Sequence, residues 1–119
     1  MFVLSTSVEA IDSIIEDLAE LEAAGGSEVE DVVGWLQGGA ARLYLCGDGW
    51  VVAYITHDNY FYIHSAKGCN SLKRLEELEE VAREAGCVGV EFHTHRKGFL
   101  RKLKDTEYTP VSYIFRKKL

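Results

Sequence analysis

The segment Tyr60–Thr94, YFYIHSAKGCNSLKRLEELEEVAREAGCVGVEFHT, decides the fold. Its opening, Tyr60 to Ser65, is dominated by aromatic and β-branched residues and reads as a strand. From Ser71 to Ala85 the residues Leu72, Leu75, Leu78, Ala82 and Ala85 recur on one helical face, and Glu and Arg fill the other. Glu79 and Arg83 stand in the order that favours an i, i+4 pair, and Gly86 ends the helix. Cys87 to Thr94 then reads as a buried strand. A strand, an amphipathic helix and a strand in succession require a crossover; crossovers are right-handed in nearly all proteins, and the two strands become parallel neighbours.

Upstream of this unit, Arg42–Cys46 and Trp50–Thr56 are rich in β-branched and aromatic residues, with Gly47-Asp48-Gly49 between them as a three-residue hairpin loop. The short turn His57-Asp58-Asn59 leads into Tyr60, so three strands form an antiparallel meander. Phe2 to Leu4 reads as a short buried strand. Thr6 and Glu9 have capping-box spacing, and Val8, Ile11, Ile15 and Leu18, widened by Ile14 and Leu21, predict one helix running to about Ala24 and stopping at Gly25-Gly26. Ser27 and Glu30 repeat the capping signal before Val29, Val32, Val33 and Leu36, and Gly38-Gly39 closes a second, shorter helix. Downstream, Arg96–Lys104 reads as a short basic helix and Tyr108–Arg116 as a last strand. The order β-α-α-β-β-β-α-β-α-β predicts an α/β protein: a mixed sheet with helices on both faces. With no repeat or low-complexity tract, and Pro110 as the only proline, residues 1–119 read as one domain.

Hydrophobic residues make up 47% and charged residues 27% of the 119, the balance of a soluble globular chain rather than a disordered one. Apolar runs such as Trp50–Ile55 are far below the roughly 18 residues that span a bilayer, and Met1-Phe2-Val3-Leu4 lacks the basic start of a signal peptide, so a cytoplasmic location is expected. Thirteen Lys and Arg against 19 Asp and Glu give a net charge of −6, a field that repels nucleic acid and anionic membranes. Against that background Arg96, Lys97, Arg101, Lys102, Lys104, Arg116, Lys117 and Lys118 make the C-terminal end locally basic; the plainest reading is a solvated face, the alternative a contact for a phosphate-bearing ligand or a short stretch of nucleic acid. Cys46, Cys69 and Cys87 contain no C-x-x-C pair, which speaks for a reducing compartment and small core residues rather than a zinc ribbon.

A ligand of such a sheet belongs beyond the carboxyl end of the parallel pair, where unpaired N–H groups at a helix start favour an anion. That place is the loop Ala66-Lys67-Gly68-Cys69-Asn70-Ser71, mostly small residues with one cation; its plainer role is a turn with Asn70 or Ser71 as helix cap. His64, at the strand end beside this loop, has the pKa range of a general base. Glu91, His93 and His95 alternate on one face of the neighbouring strand, so Glu91 is an alternative base. These groups also have the donor types of a zinc site, but H-x-H on a strand is a permissive pattern and no metal site is assigned.

The whole order of elements resembles the GNAT superfamily of acyl-CoA-dependent N-acyltransferases. The resemblance spans the full length and is clearest over Leu72–Val90, which is similar to the family's central helix, closing glycine and following strand; Arg96–Leu103 is similar to a version found in small GNAT-like proteins of bacteriophages. The resemblance implies binding of acetyl-CoA or another acyl-CoA and acyl transfer to an amine. It implies that Ile63, His64 and Ser65 align the pantetheine arm, that Lys67, Gly68, Cys69, Asn70 and Ser71 hold phosphate, and that His64 or Glu91 accepts the proton. The family's R/Q-x-x-G-x-G/A loop falls on Ala66, Cys69 and Ser71, without the arginine, and its acid tyrosine falls on Leu103. Tyr108 and Tyr113 lie off that position, and the final hairpin is shortened. These departures leave a second reading, a catalytically silent GNAT-fold binding or structural module, of the kind a phage particle could carry, its basic C-terminal segment being a contact surface toward an acidic partner or nucleic acid.

Overall fold

The computed structural model describes residues 2–25, 29–47, 49–68 and 72–92, with Thr106, Tyr108, Lys117 and Lys118. The deciding segment folds as its periodicity requires: strand β4 (Tyr60–Lys67), helix α4 (Leu72–Glu84) and strand β5 (Gly89–Phe92), with β4 and β5 parallel in the register Tyr60 to Gly89 through Ile63 to Phe92. Helix α4 buries Leu75, Leu78 and Ala82. It ends in a Schellman turn: Gly86 takes a left-handed φ of 81°, its N–H donates to the Arg83 carbonyl, and the Cys87 N–H donates to the Ala82 carbonyl. Arg83 pairs with Glu80 and reaches Glu79 at 3.9 Å.

Strands β2 (Arg42–Cys46) and β3 (Gly49–Ile55) complete the meander, and β1 (Val3–Ser5) pairs with β2, giving the order β1-β2-β3-β4-β5 with every pair antiparallel except the last. Cys46 pairs with Gly49, so two residues rather than three separate β2 from β3, and Gly47 has a φ of 56°. Strand β4 is longer than the sequence predicts. Ala66 and Lys67, placed in the loop by composition, pair with Val51 and Trp50.

The predicted first helix is two. Ser7 rather than Thr6 caps helix α1 (Val8–Ser13), accepting from the Ala10 N–H at 3.1 Å, and the chain breaks at Ile14 before helix α2 (Ile15–Gly25). The Ser13 hydroxyl donates to the Ala10 carbonyl at 2.6 Å, a side-chain competitor for the backbone that bends helices. Ile11, Ile14 and Leu18 remain on one buried stripe across the break. Helix α3 (Val29–Gly38) follows, and Ser27, its predicted cap, lies outside the described residues.

The sheet divides two cores. Helices α1 to α3 cover one face, packing Ile11, Ile14, Leu18, Val32 and Leu36 against Leu43, Trp50 and Val52. Helix α4 covers the other, packing Leu78 and Ala82 against Tyr44, Val51, Ala53 and Phe61. Cys46 is buried and Cys87 half-buried; Cys69 lies outside the described residues. So do the predicted helix Arg96–Lys104 and nearly all of the strand Tyr108–Arg116. Among the described residues no helix is long and apolar enough to cross a membrane. Leu78 is 2% exposed at the centre of the α4 core, so Leu78→Ala will lower unfolding stability by about 2–5 kcal/mol in urea titrations, whereas Val88→Ala, at a site 69% exposed, will stay within about 0.5 kcal/mol.

Candidate active site

The pairing of β3 with β4 slips by one residue in mid-strand: Val52 faces Ser65, but Ala53 faces Ile63. His64 is therefore the extra residue of a β-bulge. A bulge turns consecutive side chains toward the same side. Ser65, opposite Val52, and His64, whose ring meets Trp35 of α3, both lie on the α1–α3 face, while Ile63 and Ala66 pack into the α4 core. The His64 and Trp35 rings meet edge to face at 5.4 Å and 84°, and His64 Nδ1 is 3.2 Å from Ser65 Oγ. Burial pushes the imidazole below its ordinary pKa of 6.5, so near neutral pH it is uncharged and can accept a proton.

Glu91 lies on the same face. It sits opposite Tyr62 in the parallel pair, and Tyr62 sits opposite Tyr54, so Tyr54, Tyr62 and Glu91 form a row across three adjacent strands. The two tyrosine rings are 4.9 Å apart and inclined by 32°. Burial, and then the neighbouring Tyr54 and Glu91, raise the pKa of the Tyr62 hydroxyl. His64 is two residues further along β4, so both predicted bases face one side of adjacent strands.

The cation of the predicted phosphate loop is engaged elsewhere. Lys67 Nζ lies 2.6 Å from Asp17 Oδ1 of α2, and the Trp50 indole N–H donates to the other Asp17 oxygen at 2.9 Å. These two donors, Lys67 first, hold the Asp17 carboxyl below its ordinary pKa, and Asp17 raises that of Lys67. Because Lys67 is paired with Trp50, its ammonium projects over the α1–α3 face, opposite α4. Gly68 turns the chain with a φ of 72°, and a Cβ there would stand 3.1 Å from Gly49 Cα, so this turn requires glycine. Cys69, Asn70 and Ser71, and likewise His93 and His95, lie outside the described residues. Among the described residues no group of three His, Cys, Asp or Glu side chains could hold a metal ion.

Tyr108 stands on the far side of the sheet from His64. Its ring packs on Phe92 at 5.6 Å and its hydroxyl lies 3.2 Å from Glu79 Oε2 of α4. Burial, reinforced by the Glu79 charge, raises its pKa strongly, so the phenol stays protonated and donates to the carboxylate. Sequence reasoning missed the bulge, the Trp35 contact, the tyrosine row and Asp17. Only the bulge left a trace: the α4-core residues of β4 are Phe61, Ile63 and Ala66, a step of two followed by a step of three.

No family model and no curated protein sequence matches this chain. Its structure is similar to the crystal structure of a probable acetyltransferase, with a TM-score of 0.68 and 12% sequence identity over 100% of this chain and 96% of the other. At that identity the likeness is one of fold. The chain has a mixed α/β fold like that of this probable acetyltransferase.

The lowered pKa of His64 has a consequence for stability. The unfolded chain binds a proton at His64 that the folded chain resists, so this residue's contribution is complete above the ordinary histidine pKa and is lost as pH falls toward the folded value. The urea midpoint will therefore drop between pH 7.5 and 5.5, and less steeply in His64→Gln. Equal slopes would show that His64 titrates alike in both states.

Proposed function

We propose that this chain binds an acyl-CoA, with acetyl-CoA the first to test, and transfers the acyl group to an amine. The observation that carries the reading is the β4 bulge, which turns an uncharged imidazole out of register at the parallel β4–β5 pair of a GNAT-like fold. Bulges recur next to active sites because they re-aim a side chain without dismantling the sheet. The extended backbone of Ile63, His64 and Ser65 suits alignment with an amide-bearing pantetheine arm. Gly68 through Ser71, at the start of α4, is where its phosphates belong. Lys67 contributes charge there only by leaving Asp17, which ties the loop's electrostatics to helix α2.

In this reading His64 takes a proton from the bound ammonium, and the freed nitrogen lone pair attacks the thioester carbonyl. A C–N bond forms and the C–S bond breaks, the departing thiolate takes a proton from the imidazolium or from water, and the second proton lost by the nitrogen as the neutral amide forms leaves to solvent. Glu91, on the same face, is the alternative acceptor of the first proton. Tyr108 is no part of the scheme, because its proton is held on Glu79 across the sheet. A silent binding module is the second reading, favoured by the engagement of Lys67 with Asp17 and by Ala66 at the family's arginine position.

Calorimetric titration with acetyl-CoA and CoA separates the two. Saturable heat that Lys67→Glu weakens supports the cofactor reading. His64→Ala will then leave acetyl-CoA affinity intact and lower thiol release with an accepted amine by about 10²-fold or more. No heat and no thermal stabilisation at millimolar ligand would overturn acyl-CoA binding and leave the module.

A further inference from the structure

We propose that the outer edge of β1 is a docking site for an extended peptide segment of a partner protein, one that alternates lysine or arginine with apolar residues and adds to the sheet as a further strand. This edge lies at the opposite end of the strand order from the β4–β5 pair, and its role stands independently of the acyl-transfer reading. All three residues of β1 pair with β2, Val3 with Leu45, Leu4 with Tyr44 and Ser5 with Leu43. Among the described residues none bonds the other side of β1, so the backbone groups that point outward along it are open to a strand from another chain. The composition of Phe2–Leu4 is that of a buried strand, yet Val3 is 58% and Leu4 50% exposed. The edge carries no lysine, proline or bulge, and its brevity is what limits indiscriminate pairing.

The two faces of this edge differ in chemistry. Leu4 lies on the α4 face with its cross-strand partner Tyr44, beside Phe2, which packs on the same core. Val3 and Ser5 lie on the α1–α3 face, opposite Leu45 and Leu43. Helix α1 follows β1 on that face, with Val8, Glu9 and Asp12 exposed. The acidity extends through the layer, since the first 41 residues hold nine Asp and Glu and no Lys or Arg. Arg42, the first cation of the chain, lies instead on the α4 face, its Nη1 3.5 Å from the Tyr44 hydroxyl. An added strand therefore meets carboxylates on one side and apolar surface on the other. Side chains alternate along a strand, so a peptide alternating cations with aliphatic residues satisfies both faces at once. Lysine stems pack along Val3 and Val8 with their ammonium groups toward Glu9 and Asp12, and the aliphatic residues cover Leu4. The ladder supplies the pairing and the side chains supply the choice of partner. A second copy fits less well: antiparallel pairing of β1 with itself, about a two-fold axis perpendicular to the sheet, places both acidic helical layers on the same face.

The test adds the peptide acetyl-Lys-Val-Lys-Val-Lys-Val-amide to the intact chain and follows backbone amide shifts. Saturable shifts centred on Val3, Leu4 and Ser5 are expected, with those of β5 unmoved. The counterpart with glutamate in place of lysine will bind about tenfold more weakly or worse. Alternate amides of an added strand point toward β1 and away from it, so N-methylation of the lysine amides and of the valine amides will differ: one form loses binding by about tenfold and the other keeps it. Glu9→Gln combined with Asp12→Asn will weaken the peptide by about 3- to 10-fold, and Leu4→Ser by a similar factor. Glu76→Gln combined with Glu84→Gln, an equal loss of charge at exposed positions of α4, will leave it within about twofold. All these positions are exposed, and unchanged shifts elsewhere will show that each variant is folded. No shift of β1 at millimolar peptide, equal binding of the glutamate peptide, the same loss in both charge variants, or indifference to both methylated forms would overturn the docking site. A dimer in sedimentation that Leu4→Ser abolishes and the peptide does not dissociate would give the edge to a second copy and overturn the partner proposed.

Discussion

Strand β3 is buried on both faces from Trp50 to Ala53, and that constraint organises the molecule. Trp50 and Val52 point into the α1–α3 core, and Val51 and Ala53 into the α4 core, with Val51, Val52 and Ala53 wholly inaccessible. A residue inserted into β3 would reverse every side chain beyond the insertion and place residues of each core on the wrong face. The extra residue of the β3–β4 pair is accordingly carried by β4, whose middle is only half-buried and can bend. The position of His64 thus follows from what its neighbouring strand cannot do.

The parts of this fold that were legible in the sequence are those governed by local periodicity. Leu75, Leu78 and Ala82 fix the face of α4, Gly86 fixes its end, and the crossover they demand makes β4 and β5 parallel. The shared face of His64 and Glu91 follows from strand alternation once that pairing is known. The break at Ile14 was hidden because Ile11, Ile14 and Leu18 obey the helical period on both sides of it; the signal lay in Ser13, whose hydroxyl bonds the backbone. Lys67 read as a loop cation because nothing local reveals a partner 50 positions away, and Asp17 and Trp50 meet it only through the tertiary fold.

Charge is sorted by the sheet. One face carries His64 and Glu91 with the Asp17–Lys67 pair at its border, and the other carries the Glu79–Tyr108 contact beside the Glu and Arg residues of α4. Glu79 fixes the Tyr108 phenol on one face, whereas on the other Glu91 stands opposite Tyr62, two residues from the bulge at His64. The two faces of the same five strands therefore use their carboxylates differently.

The separation of the two hydrophobic clusters also sets how the molecule can breathe. The α1–α3 layer is fastened to the sheet by side chains: the Ile11, Ile14 and Leu18 stripe, the Trp50 and Lys67 contacts of Asp17, and the edge of Trp35 on His64. None of these contacts is a rung of the β-ladder. Partial release of this layer would uncover the face bearing His64 while leaving the inter-strand hydrogen bonds and the α4 cluster in place, so amide protons in α1–α3 exchange through openings that those of β3 do not share. Such sub-global opening exposes this face of the sheet at the cost of one layer rather than of the whole fold.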